Sequence, residues 1–577
     1  MYPIFNNPLF WSIFLHFFCV LILLIISIKY IFPFFKNIPR NTWLILLLIF
    51  ILGFLLRNQI YSHGPHTDGY VAQEAAKYWQ YTGNFVKGCA MGNLNKCYLY
   101  HETLAPHGYP LLIFLTNFIF DYNSLHASII SAILSSFSII ITFLIAYILF
   151  NNTNLALLSS LFYAILPLNI SLSQTGLAYP SSIFFTGLSV LYFLFSMKRP
   201  KQIIFWLTFI SLFTFSFYIR HENPILILFF VFAGLFLLSD YYKIIIDFLI
   251  GKPLKTIFIK YKLKKYRKTI LSIIFIFILL ILGYLYWFFN LNAMLGHNKD
   301  LFGLKYFAPK SLLNLILMLV PWKLTLSFWQ TPGFLSFISI MFFVGIFSAF
   351  SSKQEERTSL LFAFFWFLAY FMLYNFYFDE AFEVYSLMSF YPTTDFIRRT
   401  LSWHVPFSIT AAYGSVFMFS KLRSKYIRNI FCLFLILYIS INTVFLFQGF
   451  SFFTTRPFAY GRQHDCLTLL KDTPSKSTII TSHYMIATSE RLPNNHRKAI
   501  DTNMLFDDPR ITPQFFSTVQ DSTDVFFIGV KFDPALPLSD QIVLARKYFD
   551  FEYIKSSGQL ALYKLHLKKH RHAEVFK

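Results

Sequence analysis

Apolar residues are not scattered along this chain. They recur in runs about as long as a bilayer is thick, separated by short polar breaks. The runs occupy residues 9–30, 41–56, 127–150, 155–172, 179–197, 203–219, 225–238, 270–289, 334–350, 359–378, 405–419 and 430–447. About 20 apolar residues in a helix cover the roughly 30 Å of hydrocarbon in a membrane; several runs fall short and borrow flanking aromatics. Only 13% of the residues are charged, against about a quarter in a soluble domain. A soluble fold with 56% hydrophobic residues would have nowhere to hide the surplus. The expected fold class is an all-α polytopic membrane bundle of about twelve transmembrane helices. The 76 phenylalanines suit lipid-facing helices. Runs 110–120 and 312–326 are too short or too interrupted to span, the second by Pro321 and Lys323, and read as interfacial helices. The first run lacks a basic lead and a small-residue cleavage site, so it reads as a retained helix.

The formal charge is +22. In a soluble protein that would point to nucleic acid. Here the cations gather in short loops: Lys36 with Arg40; Lys198, Arg199 and Lys201; the stretch 243–268; and Lys421, Arg423, Lys425 and Arg428. With the spans above, all four loops fall on one side, which the positive-inside rule makes the cytoplasm. The partner is then a lipid bilayer and not a nucleic acid. The multi-pass chain sits in the cell membrane, with loop 57–109, loop 379–404 and everything after Phe450 outside.

Residues 1–450 form the bundle, and residues 451–577 read as a small extracytoplasmic α/β domain. Its expected elements are a helix at 461–471, strands at 478–481 and 525–530, an amphipathic helix at 539–548, and a hairpin of 551–554 with 560–565. It carries no phosphate loop, nucleophile elbow or metal-ligand spacing. Cys19 and Cys432 lie in apolar runs and read as inert. Cys89 and Cys97 lie in the outer loop around a Gly92-Asn93 turn candidate, in a compartment where disulfides persist, and are expected to pair.

The outer loop opens with Ser62-His63-Gly64-Pro65-His66-Thr67-Asp68-Gly69-Tyr70. A helical period follows through Ala72, Ala75, Ala76, Tyr78 and Trp79 and ends at Gly83. An acid after an early span, then Tyr70, Ala75, Gly83 and Pro110-Leu111-Leu112, resembles the GT-C superfamily of membrane glycosyltransferases. The resemblance is to the branch of protein O-mannosyltransferases and lipid A aminoarabinose transferases. Ala164-Ile165-Leu166-Pro167 with Ser171, and Arg398-Arg399-Thr400-Leu401 with Pro406, resemble later segments of that family, in order over residues 41–447. Two features depart from it. Many members place a second acid in the loop that here reads Gln174-Thr175-Gly176-Leu177-Ala178-Tyr179-Pro180, and the Trp-Trp-Asp signature of oligosaccharyltransferases is missing.

The resemblance implies an inverting transfer of a monosaccharide from a polyprenyl-phosphate donor to a protein, lipid or envelope-glycan acceptor on the outer face. Chemistry assigns the roles. Attack by a hydroxyl needs a base, and a carboxylate at a membrane surface suits it, which makes Asp68 the expected catalytic residue. The leaving phosphate needs cations, and Arg220, at the outer end of run 203–219, with Arg398 and Arg399, is expected to supply them. His66, Glu102 and His107 are counted with the substrate-binding residues. Their spacing, with His101, matches no known metal site, so no metal is assigned and a divalent ion stays open. The bland readings are a solvated loop residue or helix N-cap for Asp68, an interfacial anchor for Arg220, and plain surface charge for Arg398 and Arg399. Three other readings compete: a glycan polymerase or ligase using a lipid-linked oligosaccharide, a non-enzymatic transporter, and a degenerate family member that binds lipid only, which the missing second acid supports. The absence of internal repeats and of midplane charges disfavours the second.

Overall fold

The computed structural model describes residues 7–58, 67–82, 86–89, 97–99, 107–121, 123, 125–174, 176–220, 222–237, 334–376, 400–455, 465–466, 468–474, 477–481, 498–500, 524–530, 546, 549–558 and 560–568. The expected span 270–289 and the interfacial run 312–326 lie outside these residues.

Fourteen helices of the described residues are used below: α1 (Pro8–Phe35), α2 (Arg40–Arg57), α3 (Thr67–Thr82), α4 (Gly108–Phe120), α5 (His126–Phe150), α6 (Thr153–Ala164), α7 (Pro167–Ser173), α8 (Ala178–Lys198), α9 (Ile203–Ile219), α10 (Leu226–Leu237), α11 (Phe334–Ser348), α12 (Gln354–Phe376), α13 (His404–Lys421) and α14 (Lys425–Thr455). Among the described residues, five helices are long and apolar enough to cross a membrane, and shorter apolar helices accompany them. The ends follow local chemistry. Asn7 caps α1 by accepting from the Leu9 and Phe10 amides (2.9 and 3.3 Å), with Pro8 as the first helical residue. Asn151 closes α5 in the left-handed region (φ +50°), and Asn152 accepts from Leu155 to start α6, which makes a tight hairpin.

The expected span 155–172 is not one helix. α6 stops at Ala164 and α7 starts at Pro167. Proline has no N–H to continue the ladder and disfavours helix in the residue before it, so the run breaks although its hydrophobicity does not.

Helices α1 and α9 run antiparallel: His16 meets Tyr218 (5.6 Å between rings) while Tyr30 meets Phe205 (6.5 Å). The end of α9 therefore lies beside the start of α1. That end also holds α3, whose Trp79 packs on Phe10 (5.4 Å), and the start of α4. At the opposite end Arg199 stacks over Phe34 (4.5 Å), Lys198 donates to the Ile148 carbonyl (2.7 Å), and Phe150, the last residue of α5, packs on Tyr413, about two turns before the end of α13 (5.2 Å). Three of the four basic loops thus share one end of the bundle; the fourth, 243–268, lies outside the described residues.

Phenylalanine, expected on the lipid face, is also the main filler between helices. Phe193, Phe209 and Phe213 surround Phe230 at 4.9, 4.7 and 4.9 Å. The exposed stripe of α1 (Ile25, Ile28, Phe32) is the lipid-facing kind. Many serines and threonines inside the bundle spend their hydroxyls on their own helices, as Ser136 does on Ala132 and Thr142 on Ser138 (both 2.7 Å). α11 and α13 cross closely because Gly345 and Gly414 expose backbone to each other: a Cβ on Gly414 would overlap the Met341 carbonyl and stand 2.7 Å from the Gly345 amide.

Besides the short pair β1 (Val86–Cys89) and β2 (Cys97–Leu99), five strands after the bundle form a sheet in the order β4–β3–β5–β7–β6: β3 (Thr478–Thr481), β4 (Lys498–Ile500), β5 (Val525–Val530), β6 (Phe549–Ser557) and β7 (Leu560–Leu567). β3 is parallel to β4 and β5, and β7 is antiparallel to β5 and β6. Cys466, Leu469, Leu470, Ile479, Phe526, Ile528, Leu560 and Leu562 make its core. The expected strands 478–481 and 525–530 and the hairpin are present; the expected helix 539–548 falls outside the described residues except at 546.

Candidate active site

Asp68 is the second residue of α3, ten residues or so beyond the end of α2. Only its backbone is described. The helix is positioned by its apolar face: Ala72, Ala75, Ala76 and Trp79 are buried, as the helical spacing requires. Its polar face is tied down as well. Gln73 donates to the Asn123 carbonyl (2.9 Å) and meets Asn117 Oδ1 (3.4 Å), which also meets His126 Nδ1 (2.6 Å). α3, α4 and the start of α5 are thereby one polar-linked unit. His107 precedes α4, half-buried, with its ring 6.5 Å from Trp79.

Tyr109 locks the next layer. Its hydroxyl lies 2.7 Å from the Ala127 carbonyl, 2.9 Å from Ser131 Oγ and 2.9 Å from the Gly176 carbonyl, while Ser131 donates to Leu177 (2.7 Å). Gln174 donates to the Leu56 carbonyl (3.0 Å), and Gly176 turns with φ +70°. The acid-free segment 174–180 is therefore pinned against the ends of α2, α4 and α5. A close approach holds α4 against α9: a Cβ on Gly108 would stand 2.6 Å from the Tyr218 carbonyl.

Arg220 ends α9 at this same end of the bundle. It is not a free cation. Its Nε donates to Glu222 Oε2 (2.9 Å), Nη2 pairs with Glu222 Oε1 and donates to the Tyr179 hydroxyl (3.0 Å), and the guanidinium stacks over the Tyr179 ring (3.9 Å). Neighbouring Asn223 is held by Ser216, Ser182 and Tyr370. A bidentate carboxylate satisfies much of the charge that the expected phosphate contact would use.

Sequence reasoning passed over Arg57. It is fully buried at the end of α2. Nη1 donates to the carbonyls of Gly53 (3.0 Å) and Ala164 (2.9 Å), Nη2 to that of Tyr163 (3.3 Å), and Nε to Ser135 Oγ (2.8 Å). It caps α6 where that helix breaks, which meets carbonyls that Pro167 leaves without amides. The signal was present: an arginine at the tail of an apolar run, and a proline inside another.

His66, Glu102, Arg398 and Arg399 lie outside the described residues. Cys89 and Cys97 fall in the short strands Val86–Cys89 and Cys97–Leu99, as directly opposed partners of an antiparallel pair. Opposed Cα atoms stand about 4.5–5.5 Å apart, inside the span a disulfide needs. Thiol titration of the unfolded, unreduced protein is expected to find three of the five cysteines, Cys19, Cys432 and Cys466, and reduction to raise the count to five. Five before reduction would rule the bond out.

No protein-family model matches the chain, and no curated protein does. Solved structures do. ArnT from Cupriavidus metallidurans bound to undecaprenyl phosphate superposes with a TM-score of 0.53 at 9% identity, over 91% of this chain and 98% of that one. The same protein in the apo state gives 0.51 at 8% identity, over 90% and 97%. The Archaeoglobus fulgidus oligosaccharyltransferase tethered with an acceptor peptide gives 0.51 at 13% identity, over 93% and 75%. The chain shares the fold of these two proteins over the spans given.

Proposed function

We propose that this protein is an inverting glycosyltransferase that moves a monosaccharide from a polyprenyl-phosphate donor to an acceptor hydroxyl at the extracytoplasmic face. The observation that carries the reading is the position of Asp68. It lies at the start of a helix that follows α2, at the bundle end shared by Arg57 and Arg220, in a fold shared with a lipid-phosphate-bound transferase. Asp68 takes the acceptor proton as the anomeric carbon is attacked. The leaving phosphate is held by cations, with Arg398 and Arg399 the further candidates beside the Glu222-paired Arg220. The acceptor is a protein, a lipid or an envelope glycan. The test is transfer of a labelled sugar from polyprenyl phosphate in membranes: transfer that depends on Asp68 supports the reading, and none with any polyprenyl donor ends it.

The likeness to an oligosaccharyltransferase favours one second reading, a polymerase or ligase with a lipid-linked oligosaccharide donor. The mass added per transfer, one sugar or a block, separates the two.

The gathering of basic loops at one end supports a cytoplasmic assignment for that end and an outside location for Asp68 and the C-terminal sheet. A phosphatase reporter fused after Phe450 should be active, and a cytoplasmic reporter at the same point silent. The reverse pattern would invert the topology and move the site to the wrong face.

A further inference from the structure

Aromatic packing brings two of the basic loops together. Phe34 lies 4.7 Å from Phe195 and 6.1 Å from Phe205, and Phe35 lies 6.0 Å from Phe195 and 6.4 Å from Trp43. The ends of α1 and α8 therefore meet the starts of α2 and α9. The cations of both loops, Lys36 with Arg40 and Lys198 with Arg199 and Lys201, surround this junction. Both loops are tight turns. The Ile38 amide donates to Phe35 (3.1 Å) and the Thr42 amide to Pro39 (3.0 Å), while the Gln202 amide donates to Arg199 (3.0 Å) and Trp206 Nε1 to Pro200 (3.3 Å). Arg199 is held half-buried with its guanidinium 4.5 Å from the centre of the Phe34 ring. A guanidinium over a ring keeps its N–H fork at the edge of the plane, and this fork meets no acceptor among the described residues. Lys198 is committed to the Ile148 carbonyl, whereas Lys36, Arg40 and Lys201 are exposed. No carboxylate balances them: the ion pairs of the described residues lie at Arg220–Glu222 and in and beside the C-terminal sheet. Glu356, a carboxylate at the start of α12, accepts from the Tyr413 hydroxyl (2.7 Å). The positive-inside rule accounts for the sign of these loops but not for a half-buried, uncompensated arginine where four helix ends meet. Within about one turn of the cations the surface becomes apolar, with Phe32 on α1, Leu44 on α2 and Ile203 on α9 all exposed.

We propose that the junction of loops 36–40 and 198–201 binds the headgroup of an anionic phospholipid. The Arg199 fork takes the phosphodiester oxygens, a geometry that guanidinium matches and ammonium does not. Lys36, Arg40 and Lys201 add positive charge around it, and basic sites between helix ends suit anionic headgroups. Phe32, Leu44 and Ile203 meet the acyl chains, which is why the occupant is a lipid and not a free ion. The tight turns fix the cations before the lipid arrives, so little ordering is left to oppose binding. The site lies at the bundle end opposite the candidate active site and does not require the transferase reading.

The experiment is lipid titration of the purified full chain in a neutral detergent, with bound lipid counted by native mass spectrometry. Phosphatidylglycerol is the anionic probe, phosphatidylcholine with the same acyl chains the neutral control, and inorganic phosphate the free-ion competitor. Phosphatidylglycerol is expected to bind about tenfold or more tightly than phosphatidylcholine, and millimolar phosphate to leave it in place. Arg199→Gln removes both fork and charge and should weaken phosphatidylglycerol about tenfold or more. Lys36→Gln and Arg40→Gln each remove one charge and should weaken it about fivefold. Arg423→Gln, in a different basic loop, should bind as the parent does. Lys36 and Arg40 are exposed, so their variants decide the matter if Arg199→Gln does not fold. The proposal is overturned if phosphatidylcholine binds as tightly as phosphatidylglycerol, if free phosphate displaces the lipid, or if the variants at 36, 40 and 199 all bind like the parent. It is overturned equally if Arg423→Gln weakens binding as much as they do, since net charge alone would then explain the effect. The titration contains no sugar donor, so its outcome is independent of sugar transfer.

Discussion

Asp68→Asn is expected to lower sugar transfer about 10²–10⁴-fold, the worth of a general base. Asparagine keeps the size and hydrogen-bonding capacity of the side chain but cannot take a proton. Folding should survive, because α3 is held by Ala72, Ala75, Ala76, Trp79 and the Gln73 contacts, none of which involves position 68. Donor affinity should hold or rise, since a negative charge near a phosphate is removed. Asp68→Glu should also be poor, because catalysis tolerates little misplacement of the reacting group. The measurement is labelled-sugar transfer at matched expression. Near-parental turnover by Asp68→Asn would pass the base to Glu102 or to Glu74, six residues further along α3, and equally active variants at both of those would end the glycosyltransferase reading.

The largest expected loss of stability is at Gly414. A leucine there meets the Met341 carbonyl and the Gly345 amide, both backbone atoms of α11, so no neighbouring side chain can swing away. Overpacking a core costs about 1–3 kcal/mol when neighbours can adjust. Here α11 and α13 must separate, which forfeits the packing along their crossing, and about 3 kcal/mol or more is expected. Gly414→Leu should give little monodisperse protein by size exclusion in detergent. Gly234→Ala is the control: its Cβ would meet only Phe193 Cζ, at 3.8 Å, and the change favours helix by about 0.5–1 kcal/mol. Equal yields from both variants would show that the crossing is looser than the backbone contacts imply.

The sequence was most legible where one residue type decides the outcome locally. The run expected at 203–219 is α9 from end to end, and the strand expected at 525–530 is β5, because a lipid-length or strand-length apolar stretch bounded by polar residues has few other fates. The break inside 155–172 escaped because hydropathy does not register a missing N–H; Pro167 did. The Glu222 partner of Arg220 stood two residues away, but a phosphate role for the arginine drew the reading outward. Arg57 was the least legible. Its acceptors lie 78 to 107 residues further along the chain, apart from the local Gly53, and no pattern on α2 points to them. The candidate base was legible as a motif and not as a geometry, since the side chain of Asp68 and the arginines at 398 and 399 fall outside the described residues.

The Arg57 cap also has a history in time. The chain is made from its N-terminus, and Tyr163 and Ala164 are translated 106 and 107 residues after Arg57. At about 5–20 residues per second, that leaves roughly 5–20 s in which α2 exists and its acceptors do not. A lone guanidinium at a helix end waits at the headgroups, its stem along the lipid and its charge in water. It can leave that refuge only once the broken helix arrives to receive it. Burial of Arg57 is therefore a late event in biogenesis, and the α2–α6 contact reports that the first half of the bundle has assembled.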